Sequence, residues 1–282
     1  MVFVVGGINT DISGRPAGEL LAHDSNIAKV TVSAGGVGRN IAASLCALGV
    51  STELMAPFGD DVLTTGLVRN CLESGIGLTY MSVIPNASGG VYLCVNDKDG
   101  DMYIAMNDMN ICEFFTPEHI NINAINTGTA CVLDANPPEE TLLYVAQNAR
   151  VPLICDPVSA AKCRRVLPIL PHLFAIKPNL LEAQTLTGET EPEAAAKALV
   201  RMGVKRAFVS LGAQGLCYAD DTVCGFSKVQ AGTPIRNTTG AGDAATAAIT
   251  IGCIRGMAIQ ETADFACETA LHAIADYREI AR

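Results

Sequence analysis

The chain has no uninterrupted apolar run of 18 or more residues, so nothing in it reads as a membrane-spanning helix, although 49% of its residues are hydrophobic and 17% charged. Positive charge is scarce: 19 Lys and Arg stand against 29 Asp and Glu, a net charge of −10, with no basic stripe. That balance argues against a nucleic-acid binder and means that any phosphate must be held by local features. No CxxC pair occurs among the 11 cysteines, their number is odd, and the four histidines form no ligand-like cluster with them. Cysteines in apolar runs, such as Cys46 and Cys155, suit reduced structural residues of a cytoplasmic protein. The opening Met1-Val2-Phe3-Val4-Val5-Gly6-Gly7 lacks the basic flank and cleavage site of a signal peptide and reads as a buried strand entering a glycine turn. Repeats, linkers and low-complexity tracts are missing too, which leaves one domain over residues 1–282, long enough to bury a core without disulfides.

What is present is alternation. In the second half, residues 130–134, 152–155, 173–176 and 206–211 read as strands, and 138–150, 160–167 and 180–187 as helices. Gly240 opens a small-residue helix to about residue 255, and a last helix starts near residue 260. This spacing predicts an α/β fold with a mainly parallel, doubly wound sheet and helices on both faces. The first half differs. Residues 11–33 and 89–106 are richer in Gly and polar alternation and read as antiparallel strands, with a hairpin turn at Asp97-Lys98-Asp99-Gly100. Helices are expected between them at 39–48 and 63–74, and the two hairpin-like segments predict a small β lid projecting from the main sheet.

The most informative stretch is Asn237-Thr238-Thr239-Gly240-Ala241-Gly242-Asp243, followed at once by a helix. Small residues at a helix start let backbone N–H groups and the helix dipole meet an anion. A carboxylate there would repel phosphate unless it accepts a proton from an attacking hydroxyl; a tight turn capped by Asp is the plainer alternative. Gly35-Gly36-Val37-Gly38-Arg39-Asn40 also precedes a helix, but no Gly-Lys-Ser/Thr follows and the dinucleotide glycine spacing is absent. In Lys177-Pro178-Asn179-Leu180-Leu181-Glu182, Asn179 and Glu182 can form a capping box or orient Mg²⁺ and its waters.

Taken in order with Gly7-Ile8-Asn9-Thr10-Asp11 and Ser210-Leu211-Gly212-Ala213-Gln214-Gly215, these motifs resemble the ribokinase (PfkB) carbohydrate kinase family over nearly the whole chain. The resemblance implies a ribokinase-like fold and transfer of phosphate from ATP to an alcohol group, with Mg²⁺, and with K⁺ near the anion hole as an option. It makes Asp243 the catalytic base and Gly240, Ala241 and Gly242 the anion hole for the transferring phosphoryl. Asn9 and Asp11 correspond to ligands of the sugar hydroxyls, with Gly35, Gly36, Gly38 and Asn40 completing that pocket. Asn179 and Glu182 correspond to the pair that organises Mg²⁺ and phosphate, and Ser210, Gly212 and Gly215 to the loop beside ATP.

Within the family, Asp156-Pro157-Val158-Ser159-Ala160-Ala161-Lys162-Cys163 looks like the pseudouridine kinase branch, as does Asn237, where many relatives have Asp. That implies phosphorylation of the 5′-hydroxyl of pseudouridine, with Lys162 or Ser159 meeting a uracil carbonyl; a Ser159 cap and a solvated Lys162 are the alternatives. Thr10, Ser13 and Asn107 are further lid candidates. A kinase for ribose, another sugar or an ordinary nucleoside stays open, as does a non-catalytic nucleoside- or sugar-binding relative. Relatives often continue beyond the helix that holds residues 266–276, and residues 220–233 look trimmed, which implies an altered cover over adenine. The family's lid often packs on a second copy, so Val91, Leu93 and Ile104 would serve a homodimer.

Overall fold

The computed structural model describes residues 1–229 and 239–275. Its first half forms β1 (Val2–Val5), β2 (Asn9–Pro16), β3 (Ala28–Gly35), α1 (Val37–Ala47), β4 (Thr52–Met55), β5 (Pro57–Gly59), α2 (Val62–Glu73), β6 (Ser82–Ile84), β7 (Gly90–Asn96), β8 (Met102–Asp108) and α3 (Ile122–Ile125). The second half follows with β9 (Ala130–Asp134), α4 (Glu139–Asn148), β10 (Leu153–Asp156), β11 (Ala175–Ile176), α5 (Leu180–Thr187), α6 (Pro192–Arg201), β12 (Arg206–Ser210), β13 (Leu216–Ala219), β14 (Cys224–Ser227), α7 (Ala241–Ile254) and α8 (Ile259–Ala275).

Strands such as Val2–Val5 and Leu153–Asp156 have no exposed face, so they need cover on both sides. They receive it in an eight-stranded sheet of order β14-β13-β12-β11-β10-β9-β1-β4. Pairing is parallel from β4 to β12, and β13 and β14 add an antiparallel edge. Alternation sorts the side chains. Phe3, Val5 and Leu133 pack with Leu142 and Val145 of α4, Leu186 of α5 and Leu199 of α6. Val4, Val132 and Ile154 face the other way, onto Ile41 and Leu45 of α1, Leu67 of α2 and Ala247 and Ile251 of α7. Each such fully buried Val, Leu or Ile contributes about 1.5–3 kcal/mol.

The segments read as a lid form a separate four-stranded sheet, β3-β2-β7-β8. Each hairpin is antiparallel as expected, but β2 and β7 join in parallel. Both strands start from the main body, at Asn9 and Gly90, which stand opposite each other and so run outward together. The register puts Ile12, Val30, Val32, Leu93, Ile104 and Met106 on one face and Asn9, Asp11, Ser13, Ser33, Tyr92 and Asn107 on the other. The apolar face is open: Val30, Val32 and Met106 are 62%, 64% and 62% exposed. At the hairpin tip, one Asp97 carboxylate oxygen accepts the N–H groups of Asp99, Gly100 and Asp101, each at 2.9 Å.

The helix expected at 160–167 is not there. The chain instead makes a 3-10 run over Cys163–His172. Pro168 and Pro171 lie inside it, and each removes an N–H that an α-helix would need. Among the described residues, no helix is long and apolar enough to cross a membrane. Asn237 and Thr238 lie outside the described residues.

Candidate active site

The side-chain alternation that fills the core also builds the site. In β9, β10 and β11 the residues that point toward α1 and α7 are Val132, Ile154 and Ala175. Two positions on, at the strands' C-terminal ends, come Asp134, Asp156 and Lys177 on that same side. These ends are where an open parallel sheet offers a ligand crevice.

Asp134 is fully buried and fully partnered: its Oδ2 accepts from the backbone Gly7 N at 2.8 Å and Gly38 N at 2.7 Å and from the side-chain Asn136 Nδ2 at 2.9 Å. It clasps the turn after β1 to the start of α1. The approach is close enough that a Cβ on Gly36, whose φ is +98°, would lie 2.6 Å from the Gly7 oxygen. Burial pushes the Asp134 carboxyl up, against the pull of the Gly7 and Asn136 donors.

Asp156 reaches the other way. Its Oδ2 accepts from Thr246 Oγ1 of α7 at 2.8 Å and pairs with Lys177 Nζ at 3.2 Å. Burial works against the Lys177 ammonium, but Asp156, Glu182 and Asp243 outweigh it and leave its pKa above the usual lysine value. The other oxygen, Oδ1, accepts Val158 N at 2.9 Å. Val158 has φ +69°, and Ser159 N donates to Pro157 O at 2.8 Å across it. A β-branched residue at the centre of such a γ-turn is costly, of order 1–3 kcal/mol.

Asp243 sits at the start of α7, where Gly240 takes the left-handed conformation (φ +85°) that turns the chain into the helix. Asp243 is half-buried and its Oδ2 accepts from Asn40 Nδ2 of α1 at 2.9 Å. Burial, helped by the nearby Asp156, pushes its carboxyl up to about 7, although Asn40 and Lys177 pull it down. A carboxyl poised there, beside the free N–H groups of a helix start, can accept a proton near neutral pH while the helix end holds an anion.

On the four-stranded sheet, Asn9 Nδ2 donates to Asp11 Oδ1 at 2.5 Å, and Gly35 packs flat against the Asp11 carboxylate, where a Cβ would collide with it. Burial raises the Asp11 carboxyl, opposed by Asn9 and by Arg39. Asn179 and Glu182 form the capping box of α5: Asn179 N donates to Glu182 Oε2 at 2.9 Å and Glu182 N to Asn179 Oδ1 at 2.9 Å. Ser210 lies beside them, its N donating to Pro178 O at 2.9 Å. Gly212 and Gly215, φ +59° and +109°, turn the chain back beyond β12. Lys162 is half-buried and donates to Asn136 Oδ1 at 2.6 Å, which ties it to the Asp134 clasp.

The structure thus joins Asn40 to Asp243, Asn9 to Asp11 and Gly35, and Asn179 to Glu182 and the Ser210 loop. It adds four residues to which the sequence reading gave no role: Asp134, Asn136, Asp156, which opened a quoted motif, and Thr246. Their signal was present, since an acid closing an otherwise apolar strand, as in Ala-Cys-Val-Leu-Asp or Leu-Ile-Cys-Asp, is costly to bury without a task.

The model of the pfkB family carbohydrate kinases matches residues 1–279. The chain is 34% identical over 273 residues to the pseudouridine kinase of Escherichia coli (strain K12), covering 94% of this chain and 87% of that one. The ribokinase of Arabidopsis thaliana, solved with ribose and ATP, superposes with a TM-score of 0.86 at 23% identity, over 97% of this chain and 92% of that one. A candidate ribokinase II of Escherichia coli, solved with ATP and Mg²⁺, gives 0.84 at 17% identity, over 97% and 92%. The architecture is the ribokinase-like one expected from the sequence.

Proposed function

This chain belongs to the pfkB family of carbohydrate kinases, phosphotransferases with an alcohol group as acceptor, and we propose that its own acceptor is the 5′-hydroxyl of pseudouridine. The likeness to the Escherichia coli pseudouridine kinase along nearly the whole chain carries the choice of substrate. ATP is the donor. The nucleoside hydroxyl attacks the γ-phosphoryl in line, its proton passes to Asp243, and the bond to the ADP oxygen breaks. The backbone at Gly240, Ala241 and Gly242 meets the charge on the transferring group, and Lys177, beside Gly242, adds a fixed cation. A Cβ on Gly242 would stand 3.5 Å from Lys177 Nζ, which puts that ammonium directly under the helix start.

The polar face of the four-stranded sheet brings Asn9 and Asp11 to the ribose hydroxyls, and Gly35, Gly36, Gly38 and Asn40 shape the floor. Lys162 keeps two N–H donors beyond its bond to Asn136, which suits a uracil carbonyl. Ser210, Gly212 and Gly215 border the nucleotide. Among the described residues no group of three or more His, Cys, Asp or Glu could hold a metal by itself. The oxygens of Asn179 and Glu182 fit Mg²⁺ held mainly by phosphates and water, and the ion, when bound, supplies charge against the phosphates. K⁺ dependence belongs to the same proposal, as do a cytoplasmic setting and a homodimer through the apolar lid face, which Val32, Ile104 and Met106 leave open.

The test is ADP release with ATP, Mg²⁺ and K⁺, comparing pseudouridine with uridine, adenosine, ribose and fructose. Pseudouridine should turn over at least about tenfold faster than the rest at equal concentration, a contrast of about 1.4 kcal/mol. Faster turnover of any other acceptor would discard pseudouridine and keep the kinase.

A further inference from the structure

Arg39 lies one residue before Asn40 on α1 and, apart from its pull on the Asp11 carboxyl, has no role described above. Its Nη1 donates to Asn40 Oδ1 at 3.0 Å. Its Nη2 bonds to Asn70 Oδ1 and, at 3.5 Å, to Ser74 Oγ of α2, and its Nε is buried without a hydrogen-bond partner. A guanidinium has donors only. The Asn40 atom that faces it must therefore be the oxygen, and the NH₂ end is left to face Asp243 Oδ2. An amide flipped the other way would set a carbonyl against a carboxylate and an NH₂ against a guanidinium.

We propose that Arg39 is a positioning residue that fixes the Asn40 amide and, through it, selects which oxygen of Asp243 takes the substrate proton. Oδ2 is occupied by the Asn40 donor, so Oδ1 is the accepting atom. Asp243 also faces Asp156 and Asp134, which push its carboxyl up, and Lys177, which pulls it down; against that field the Asn40 N–H favours the ionised carboxylate, so Arg39 also holds the base ready at neutral pH. Asn70 and Ser74 anchor the guanidinium on the side away from Asn40 and Asp243. The inference rests on Asp243 being the base.

The variants are Arg39→Met, Arg39→Lys, Asn40→Leu and the pair Arg39→Met with Asn40→Leu. In Arg39→Met the acid limb of the kcat profile should move up by roughly one pH unit. Turnover should fall about fivefold at pH 7 and return to near the parent value by pH 9, with the nucleoside KM changed less than about threefold. A purely structural lesion would depress kcat at every pH. The pair should lose no more than Asn40→Leu alone, because one acts through the other. Arg39→Lys keeps the charge but cannot bond Asn40 and Asn70 together, and should shift the limb part of the way. The same limb can be read without turnover. In Arg39→Met the thermal midpoint should go on falling past pH 7, where the parent levels off, and that difference should vanish in an Asp243→Asn background.

An unshifted limb in both Arg39 variants, or multiplicative losses in the pair, overturns the inference and leaves the base assignment standing. Full turnover by Asp243→Asn overturns the base assignment and the inference with it.

Discussion

In the eight-stranded sheet, Val2–Val5 bury all four side chains; in the four-stranded sheet, Ala28–Gly35 buries only its last residue. Val30 and Val32 of the second are as apolar as Val2 and Val4 of the first yet stay exposed, so composition alone does not explain the contrast. Cover does. The large sheet is closed by its own helices on both faces, and its polar groups appear only where the strands run out. The small sheet has one polar face that carries Asn9 and Asp11 and one apolar face on which Val30, Val32 and Met106 are exposed. An apolar face left open beside a fully closed core is the observation behind the dimer proposed above.

The largest effect expected falls where the large sheet delivers its chemistry. Asp243→Asn should cut turnover on the order of 10²-fold or more, measured by ADP release. It should also stabilise the fold. The raised proton affinity of Asp243, about 7 against a usual 3.8, costs nothing below about pH 4. From there to about pH 7 the unfolded chain ionises while the fold retains the proton, so stability falls. The thermal midpoint gained by Asp243→Asn should therefore be larger at pH 8 than at pH 5; an equal gain would mean that the group is not buried as described.

Next comes a cut into the closed core. Leu133→Ala should cost about 2–5 kcal/mol in urea unfolding, because its cavity lies between the sheet and α4. The smallest effect on folding belongs to the open face. Val32→Asp should change unfolding free energy by less than about 0.5 kcal/mol, yet convert a dimer to a monomer in light scattering. A loss as large as that of Leu133→Ala would break the contrast between the sheets, and a parent protein that is monomeric at micromolar concentration would remove the reason offered for it.

Most of the fold was legible in the sequence because periodicity is a local signal. The buried strands at 130–134 and 206–211, α1, α2 and the start of α7 are where the apolar spacing and the glycines put them. Residues 160–167 misled because their apolar spacing resembles a helix, while Pro168 and Pro171 just beyond it decide the geometry. The parallel junction of β2 and β7 could not be read locally, since the partners lie far apart in the chain. The site divides in the same way. Motifs that act within a few residues, such as the Asn179–Glu182 box and the turn into Asp243, were visible. The Asp156 link to Lys177 and Thr246 was not, because it depends on which face of each strand looks toward α7.

The bond between Asn40 and Asp243 spans 203 residues, and the Asp134 clasp spans 127 and 96. On the ribosome, Asn40 is made 203 residues before the Asp243 that it meets. Closing so long a loop is paid for only when the rest of the sheet is in place. With Asp243 as the base proposed above, the nascent chain is inert until α7 docks, and a product cut short before residue 243 lacks both that base and the cover α7 gives one face of the sheet.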